Sequence, residues 1–399
     1  MAVTGSITTR FVDEKGVDLG KTLIEKDYLI SVYPNIVNQL DTPMLMGWGR
    51  GSYGALGNNS VSGSGDPIQT IANGNNWKQV ECGTQHTAAV KTDGTLWCWG
   101  LNEYGQLGDN TRTYRSSPVQ TVAFGTNWKQ VSCSLWFGWS NLTAAIKTDG
   151  TLWTWGYNSF YGQLGDNTTT SRSSPVQTVA FGTTWKQVSV GYWHMAAIKT
   201  DGTLWTWGFN SYGVLGTNNT TSTSSPVQTV TYATDWYQVD CGTYLVGAVK
   251  KNGTLWMWGK NQAGQLGDNS VTQRNSPVQT VSLGSNWKQV SCGYRHSAAI
   301  KTDGTLWCWG YNTNGQLGDN TTTSRSSPVQ TVAFGTTWKQ VSCGYASTAA
   351  IKIDGTLWFW GQDDYFTKSS PIQTTAYGTT WKQVAAGFYR TFAIKDGDF

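Results

Sequence analysis

Charged residues are scarce in this 399-residue chain: Asp, Glu, Lys and Arg together make up 13% of it, and the formal net charge is +4. Most of these charges recur at fixed positions of a repeated segment, so they are spread around the molecule. A nucleic acid or an anionic membrane surface is recognised by a concentrated field of positive charge. The sequence therefore predicts no nucleic-acid partner.

Long apolar runs are also missing. No segment reaches the roughly 18 consecutive apolar residues that a membrane-spanning helix needs, so we expect no membrane insertion. The first ten residues, MAVTGSITTR, lack the apolar stretch of a secretory signal peptide. We expect a chain that is made and assembled in a reducing cytoplasm.

The seven cysteines and three histidines indicate neither a disulfide framework nor a metal site. The cysteines recur at two equivalent positions of the repeat, which a repeat architecture holds apart. His86, His194 and His296 occupy one slot in alternate repeats, whereas the ligands of one metal ion must all lie about 2 Å from it. We predict that both residue types are buried and structural, and we expect no metal and no cofactor.

Tryptophan, by contrast, is abundant, and two tryptophan motifs define a repeat of about 51 residues. The second Trp of an LWxWG-type motif falls at Trp48, Trp99, Trp155, Trp207, Trp258, Trp309 and Trp360. The WKQV-type motif also occurs seven times, at Trp77, Trp128, Trp185, Trp236, Trp287, Trp338 and Trp381. A fixed period of this size is typical of propellers and other repeat architectures.

Each unit contains four segments with strand patterns: WKQVSCG, TAAIKT, TLWxWG and PVQTV. The Asp-Gly of IKTDGT supplies a tight turn. The LWxWG strand is large on both faces, which requires packing on both sides. Seven such four-stranded sheets around an axis predict an all-β, seven-bladed β-propeller over residues 42–399.

The two ends of the repeat region predict how the ring closes. An LWxWG-type strand stands alone at residues 44–48, and the last unit, from Trp381 to Lys395, has no such strand after it. We predict that residues 44–48, together with Pro67 to Thr70, complete the last blade. This arrangement would remove the exposed edges of the ring.

The segment VSCGYRHSAAIKTDGTLWCWGYNTNGQLGDN resembles the RCC1 repeat family, with its VxxVxxGxxHT, DGxxxxWG and NxxGQLG elements. The resemblance covers roughly residues 43 to 396 and recurs seven times. It implies a seven-bladed propeller closed by strand exchange. It does not settle function, because the family includes a nucleotide-exchange factor for a small GTPase, an ultraviolet sensor built on clustered Trp and inhibitors of secreted enzymes.

Residues 1–41 lie outside the repeat and are predicted to be a docking segment. SITTRFV alternates like a strand, and a strand pair and a short helix before Pro34 are compatible with the pattern. The stretch DLGKTLIEKDYLISVYP resembles virion-associated proteins of tailed phages of marine bacteria. That resemblance implies docking to neighbouring virion proteins through residues 1–41.

The repeats differ from one another mainly in two loops, which we expect on one face. These are the loop between the first and second strands and the loop between the third and fourth. Aromatic side chains in these loops have no role in the repeat itself and suggest a contact surface. The predicted binding residues are Trp136, Phe137, Trp139, Tyr192, Trp193, Tyr244, Tyr294, Arg295, Phe388, Tyr389, Arg390, Tyr53, Tyr104, Phe160, Tyr161, Tyr212 and Tyr365.

No arrangement of nucleophile, acid or base indicates catalysis, so we expect a non-enzymatic protein. The favoured hypothesis is a structural protein of a phage virion, whose variable face binds a virion protein or a host-surface protein or glycan. One alternative is a cellular regulator that binds a small GTPase or chromatin. A second is a Trp-based light sensor, for which Trp136, Trp139 and Trp193 are the only indoles outside the two motifs.

Overall fold

We analysed a computed structural model of the chain. It describes residues 7–12, 18–24, 43–71, 76–122, 125–135, 141–179, 182–281, 284–332, 335, 337–374, 378 and 380–396. Two strands near the N-terminus, Ile7–Val12 (β1) and Asp18–Ile24 (β2), form an antiparallel pair, in agreement with the predicted strand pair. The helix considered before Pro34 lies outside the described residues.

All other described strands belong to seven four-stranded antiparallel sheets around a central channel, which confirms the seven-bladed β-propeller. The first strands of the propeller are Met44–Gly49 (β3) and Ser64–Gln69 (β4). A short 3₁₀ turn, Ser52–Gly54, lies in the loop between them.

Six blades are continuous segments of chain. Blade 1 contains Trp77–Cys82, His86–Lys91, Leu96–Gly100 and Arg115–Gln120 (β5–β8). Blade 2 contains Trp128–Cys133, Leu142–Lys147, Leu152–Gly156 and Arg172–Gln177 (β9–β12). Blade 3 contains Trp185–Val190, His194–Lys199, Leu204–Gly208 and Thr223–Gln228 (β13–β16). Blade 4 contains Trp236–Cys241, Leu245–Lys250, Leu255–Gly259 and Arg274–Gln279 (β17–β20).

The remaining blades complete the circle. Blade 5 contains Trp287–Cys292, His296–Lys301, Leu306–Gly310 and Arg325–Gln330 (β21–β24). Blade 6 contains Trp338–Cys343, Ser347–Lys352, Leu357–Gln362 and Thr367–Gln373 (β25–β28). Blade 7 combines Trp381–Ala386 (β29) and Arg390–Lys395 (β30) with β3 and β4.

The ring closes as the two ends of the repeat region predict. Strand β3 pairs antiparallel with β30, so that Met46 lies opposite Ala393 and Gly47 opposite Phe392. Strand β4 adds to the other side of β3. A side chain at Gly47 would collide with the Phe392 ring, which explains the glycine in this strand. With β3 and β4 added, blade 7 has four strands like the other six blades.

Seven apolar clusters hold the blades together, one at each boundary. Between blades 1 and 2, Leu96 and Cys98 pack against Trp128 and Trp155. On the opposite face of blade 1, Trp99 packs against blade 7. Each blade is thus buried on both faces, as the large side chains on both faces of LWxWG predict. All seven cysteines are buried and unpaired within these clusters or beside them.

A ring of glutamine side chains links the innermost strands, and the sequence analysis did not predict it. Gln79 donates from Nε2 to the Val131 carbonyl oxygen and accepts a hydrogen bond from the Val131 amide, both at 2.9 Å. The Gln of every WKQV-type motif repeats this contact with the next blade, and Gln383 returns to Val80. Each glutamine amide therefore forms hydrogen bonds with the backbone N–H and C=O groups of a strand edge that faces the channel.

Candidate functional site

The two variable loops of each blade lie together on one face of the propeller, as predicted. In blade 3, the amide of Phe209, which opens the second loop, donates to the carbonyl oxygen of Trp193 in the first loop at 2.8 Å. Lys260 and Tyr244 make the same contact in blade 4. We call the surface formed by these loops the variable face.

A first group of aromatic rings on this face centres on Trp193. The Trp193 indole stacks on Tyr192, with ring centroids 4.1 Å apart and an interplanar angle of 24°. It also contacts Tyr161 of blade 2 and Phe209 of blade 3, with centroids 5.5 and 5.8 Å apart. Further contacts extend the group into blade 4. The Trp193 cluster consists of Tyr161, Tyr192, Trp193, Phe209, Tyr212 and Tyr244.

A second group lies across blades 5, 6 and 7. Tyr345 stacks on Tyr294, with ring centroids 4.8 Å apart and planes within 12° of each other. It also contacts Phe388 and Tyr389, at 4.8 and 5.2 Å. We call these four residues the Tyr345 cluster. Arg50 lies over Tyr389 at 4.9 Å, and this contact ties the cluster to the loop between β3 and β4.

Two cations lie between the clusters. The Lys260 Nζ is 4.7 Å from the ring centre of Tyr212, and the Arg295 Cζ is 5.4 Å from that of Tyr311. Burial, followed by repulsion from Arg295, lowers the pKa of Lys260 below its usual value. The variable face thus carries aromatic rings and cations over six blades.

The predicted binding residues differ widely in exposure. Phe160 is 89% exposed, and Tyr53 and Tyr365 are also exposed. Tyr192 and Phe388 are at most 7% exposed, so only a small part of each ring can touch a partner. The others described on this face are half-buried: Tyr104, Tyr161, Trp193, Tyr212, Tyr244, Tyr294, Arg295 and Tyr389. Trp136, Phe137 and Trp139 lie outside the described residues.

Arg390 requires a correction, because it does not belong to the contact surface. Its side chain is 2% exposed and points into the boundary between blades 7 and 1. The guanidinium donates from Nη1 to the carbonyl oxygen of Thr84 at 2.8 Å and from Nη2 to that of Gly83 at 2.6 Å. Arg390 occupies the slot that His86 fills in blade 1, so comparison of the repeats could have identified it as structural.

The histidines are buried, as predicted. The Nε2 atoms of His86 and His296 each lie 3.0 Å from a Thr hydroxyl of the next blade. Burial lowers the pKa of His86 and of His194 to about 3 and that of His296 to about 4, so all three are neutral at physiological pH.

Several residues of the face were missed by the sequence analysis. Phe209, Lys260 and Tyr311 occupy the same repeat position, directly after the Gly of LWxWG, and so does Arg50. This position varies between repeats, which is a usable signal. Tyr345 was also missed, although it lies in the first variable loop of blade 6.

The central channel is a second candidate site. It encloses a cavity of about 170 Å³, lined by five glutamines of the ring and by the residue that follows each WKQV-type motif. That residue is acidic in blades 1 and 4. Burial raises the pKa of Glu81 to about 8 and that of Asp240 to about 6, and for Glu81 repulsion from Asp240 adds to the effect.

The acidic residue in blade 4 has a structural role. Asp240 accepts a hydrogen bond from the Cys292 amide of the next blade at 2.7 Å. Ser189 and Ser291 accept the equivalent bonds from Cys241 and Cys343. Asp240 therefore belongs to the links between blades, and we do not assign the channel a ligand.

The fold and this face define a class of proteins: seven-bladed propellers in which one face carries turns of nearly constant sequence and the other carries variable loops. A family model described as the RCC1-like domain matches residues 44–393. The chain belongs to this family. The described residues contain no helix that is long and apolar enough to cross a bilayer.

Comparisons with known proteins agree with this assignment. The chain is 32% identical to the ultraviolet-B receptor UVR8 of Arabidopsis thaliana over 331 residues, which cover 81% of this chain and 74% of the receptor. It is 28% identical to the mitochondrial RCC1 domain-containing protein RUG3 of the same plant, over 82% of this chain and 79% of that protein. The structure of Prp20p from Saccharomyces cerevisiae superposes with a TM-score of 0.79 at 19% identity, over 89% of this chain and 92% of the yeast chain.

Proposed function

We propose that this protein is a non-enzymatic binding platform whose variable face holds a protein partner. The observation that carries the proposal is the set of aromatic rings that gathers on the one face where the repeats differ. On the opposite face, the turns have nearly the same sequence in every blade and contribute to the scaffold. Half-buried aromatic rings supply much of the binding energy of protein interfaces, because they bury a large area with few rotatable bonds.

The non-enzymatic part of the proposal is supported by the placement of the reactive groups. The described cysteines are buried, and burial raises the pKa of their thiols, which keeps them protonated. The histidines are enclosed between blades. The acidic residues of the LGDN segments form ion pairs with Arg side chains, as between Asp109 and Arg115 at 2.9 Å. These groups are used in holding the blades and loops together.

Membership of the family supports protein binding in general. Prp20p has been characterised by its binding to Gsp1p and histones, and a complex of the yeast protein with Kap60 is known. A cellular regulator is therefore one setting for the proposed platform. A nucleotide-exchange assay with small GTPases tests this hypothesis. A GTPase regulator should show exchange activity, whereas a virion protein or a light sensor should show none.

The virion setting remains a prediction that depends on residues 1–41. The family match begins at residue 44 and does not include them. The relatives named above are eukaryotic proteins, and nothing about them points to a virion. Detection of the chain by mass spectrometry in purified phage particles would support this setting, and its absence from particles of a phage that encodes it would contradict it.

The light-sensor alternative is favoured by the similarity to an ultraviolet receptor but not by the surroundings of Trp193. Among the described residues, the ring neighbours of Trp193 are Tyr161, Tyr192 and Phe209, none of which is an indole. Trp136 and Trp139 are outside the described residues. A fluorescence or circular dichroism change on ultraviolet irradiation of the purified chain would bring this alternative forward.

The proposed function is tested by comparing the partners that wild-type and variant chains capture from the same extract. Trp193→Ala and Tyr345→Ala should each lose the specific partner, because each removes the central ring of one cluster. The control is Tyr237→Ala, which removes a 51% exposed Tyr from the first strand of blade 4, away from the variable loops. If all three variants retain the same partner, the variable face is not the binding surface.

A further inference from the structure

Lys260 and Arg295 lie next to each other on the variable face, and both rest on aromatic rings. Lys260 Nζ is 4.7 Å from the centre of Tyr212 and 5.3 Å from that of Tyr244. Arg295 Cζ is 5.6 Å from the centre of Tyr294 and 5.4 Å from that of Tyr311. The rings fix the positions of the two cations and partly remove them from water.

Neither cation is neutralised by the part of the chain that the structure describes. No ion pair there includes Lys260 or Arg295. The Arg295 Nε is buried without a hydrogen-bond partner, and Nη2 makes only a long contact of 3.4 Å with the Gln262 amide oxygen. Arg50 on the same face differs, because its Nε and Nη2 both bond the Asp364 carboxylate at 2.9 Å.

Two hollows open beside the Arg295 side chain. One, of about 240 Å³, is lined by Tyr294, Tyr345 and Tyr389, with Asn314 and Thr313 among the polar residues. The other, of about 400 Å³, is lined by Gln262, Ala263, Val271 and two serines. Arg295 and Tyr311 line both hollows, and no acidic residue lines either one.

We propose that Lys260 and Arg295 form a subsite for a carboxylate side chain of the protein partner, with its neighbouring apolar side chains seated in the two hollows. This proposal rests on the proposed function of the variable face. An Arg side chain binds a carboxylate through two parallel N–H groups, and the two terminal nitrogens of Arg295, Nη1 and Nη2, are such a pair. Burial, followed by repulsion from Arg295, lowers the pKa of Lys260, and a carboxylate between the two cations would relieve that repulsion.

A carboxylate fits this subsite better than a nucleic-acid backbone does. A nucleic acid presents a row of phosphates and is bound by a row of cations. Here two cations are surrounded by Tyr rings, and Arg50, the other cation described in contact with the clusters, is already paired. Aromatic walls around one charge pair instead suit an Asp or Glu flanked by apolar side chains.

The test is selection of a random displayed-peptide library on the full chain. We expect the wild-type chain to enrich peptides that contain Asp or Glu next to apolar residues. The double variant Lys260→Gln with Arg295→Gln should lose this acidic preference. It should also bind the best selected peptide at least about tenfold more weakly, since bonds to charged groups are worth roughly that much. The double variant Lys129→Gln with Lys251→Gln, which removes two exposed cations away from the variable loops, is the matched control and should keep both the acidic preference and the affinity.

The remaining outcomes separate this subsite from the proposed function. Acidic peptides that bind the double variant as well as the wild-type chain would overturn the carboxylate subsite. Enrichment of peptides without acidic residues would also overturn the carboxylate subsite. If Trp193→Ala abolishes the binding of these peptides, the proposed binding function of the variable face still holds. Enrichment of no peptide by the wild-type chain would count against both. Melting temperatures of all variants show whether a loss of binding reflects a loss of folding.

Discussion

Thr217 and Thr223 of blade 3 stand where four other blades have an Asp and an Arg in an ion pair. Asp109 of blade 1 shows what is replaced: it accepts hydrogen bonds from Asn102 and Thr111 and pairs with Arg115. Both members of the pair are exchanged together in blade 3, so no buried charge is left without its partner. The Asn210 amide keeps its place by donating to Thr217 and to neighbouring carbonyls. These Asp residues therefore cap loops.

The buried carboxyl group of Glu81 should make the stability of the protein depend on pH. Its pKa is about 8 in the folded protein and near 4.5 when exposed, because burial and Asp240 oppose its charge. Between these values the folded state binds more protons than the unfolded state, so the free energy of unfolding should fall as pH rises from about 4.5 to about 8. We expect Glu81→Gln to melt at a higher temperature than the wild type at pH 9 and at a similar temperature at pH 4.

The control for this prediction is Glu103→Gln, which changes an exposed carboxylate and should give no pH-dependent difference. Because every variant is compared with the wild type at the same pH, the buried histidines contribute equally and cancel. A melting-temperature difference between wild type and Glu81→Gln that is the same at pH 4 and pH 9 would show that the carboxyl group is not the cause.

At the scale of elements, β3 closes the ring although its sequence is irregular. It is the least regular of the LWxWG-type strands, since Met46 replaces the first Trp and Gly47 the residue between the two Trp. Nevertheless it supplies the third strand of blade 7, where Leu45 packs against blade 1 and Met46 and Trp48 pack against blade 6. Loss of this strand removes side chains from two blade boundaries at once.

Two truncated chains test this role. A chain of residues 50–399 should melt far below the full chain, because it leaves β30 without its partner and exposes apolar area at two boundaries. A chain of residues 42–399 keeps β3 and should melt close to the full chain. Equal melting of the two truncated chains would contradict strand closure. In the virion setting, the 42–399 chain should also fail to enter particles.

At the scale of the whole molecule, closure makes each blade depend on two neighbours. The ring of glutamine contacts runs through every innermost strand and ends where it began, from Gln383 to Val80. Open repeat arrays have ends from which unfolding can begin, and their cooperativity can break down along the array. A closed ring has no such end.

Cooperative unfolding is therefore expected. The full chain should unfold in a single transition, with the same urea midpoint by tryptophan fluorescence and by far-ultraviolet circular dichroism. The 50–399 chain serves as the comparison, because its open ring should give a broader transition. Different midpoints for the two signals in the full chain would show that blades unfold separately.

Comparison among repeats within one sequence predicted most of the fold but only part of the face. The period, the four strands and the closure could be predicted because each depends on local patterns that occur seven times. Arg390 was misplaced because its loop was read as variable, although its position is the buried His slot. Lys260 and Arg50 were missed because the prediction selected mainly aromatic side chains from the variable positions.

The sequence by itself determined the number of blades, the order of strands and which side chains serve the scaffold, because periodic apolar positions can be buried only against equivalent sheets. Only the tertiary structure decided which loop residues meet. Trp193 and Tyr161 belong to different blades, and Lys260 and Arg295 are 35 positions apart. Such contacts depend on the radius and twist of the closed ring, which no segment of the chain encodes alone.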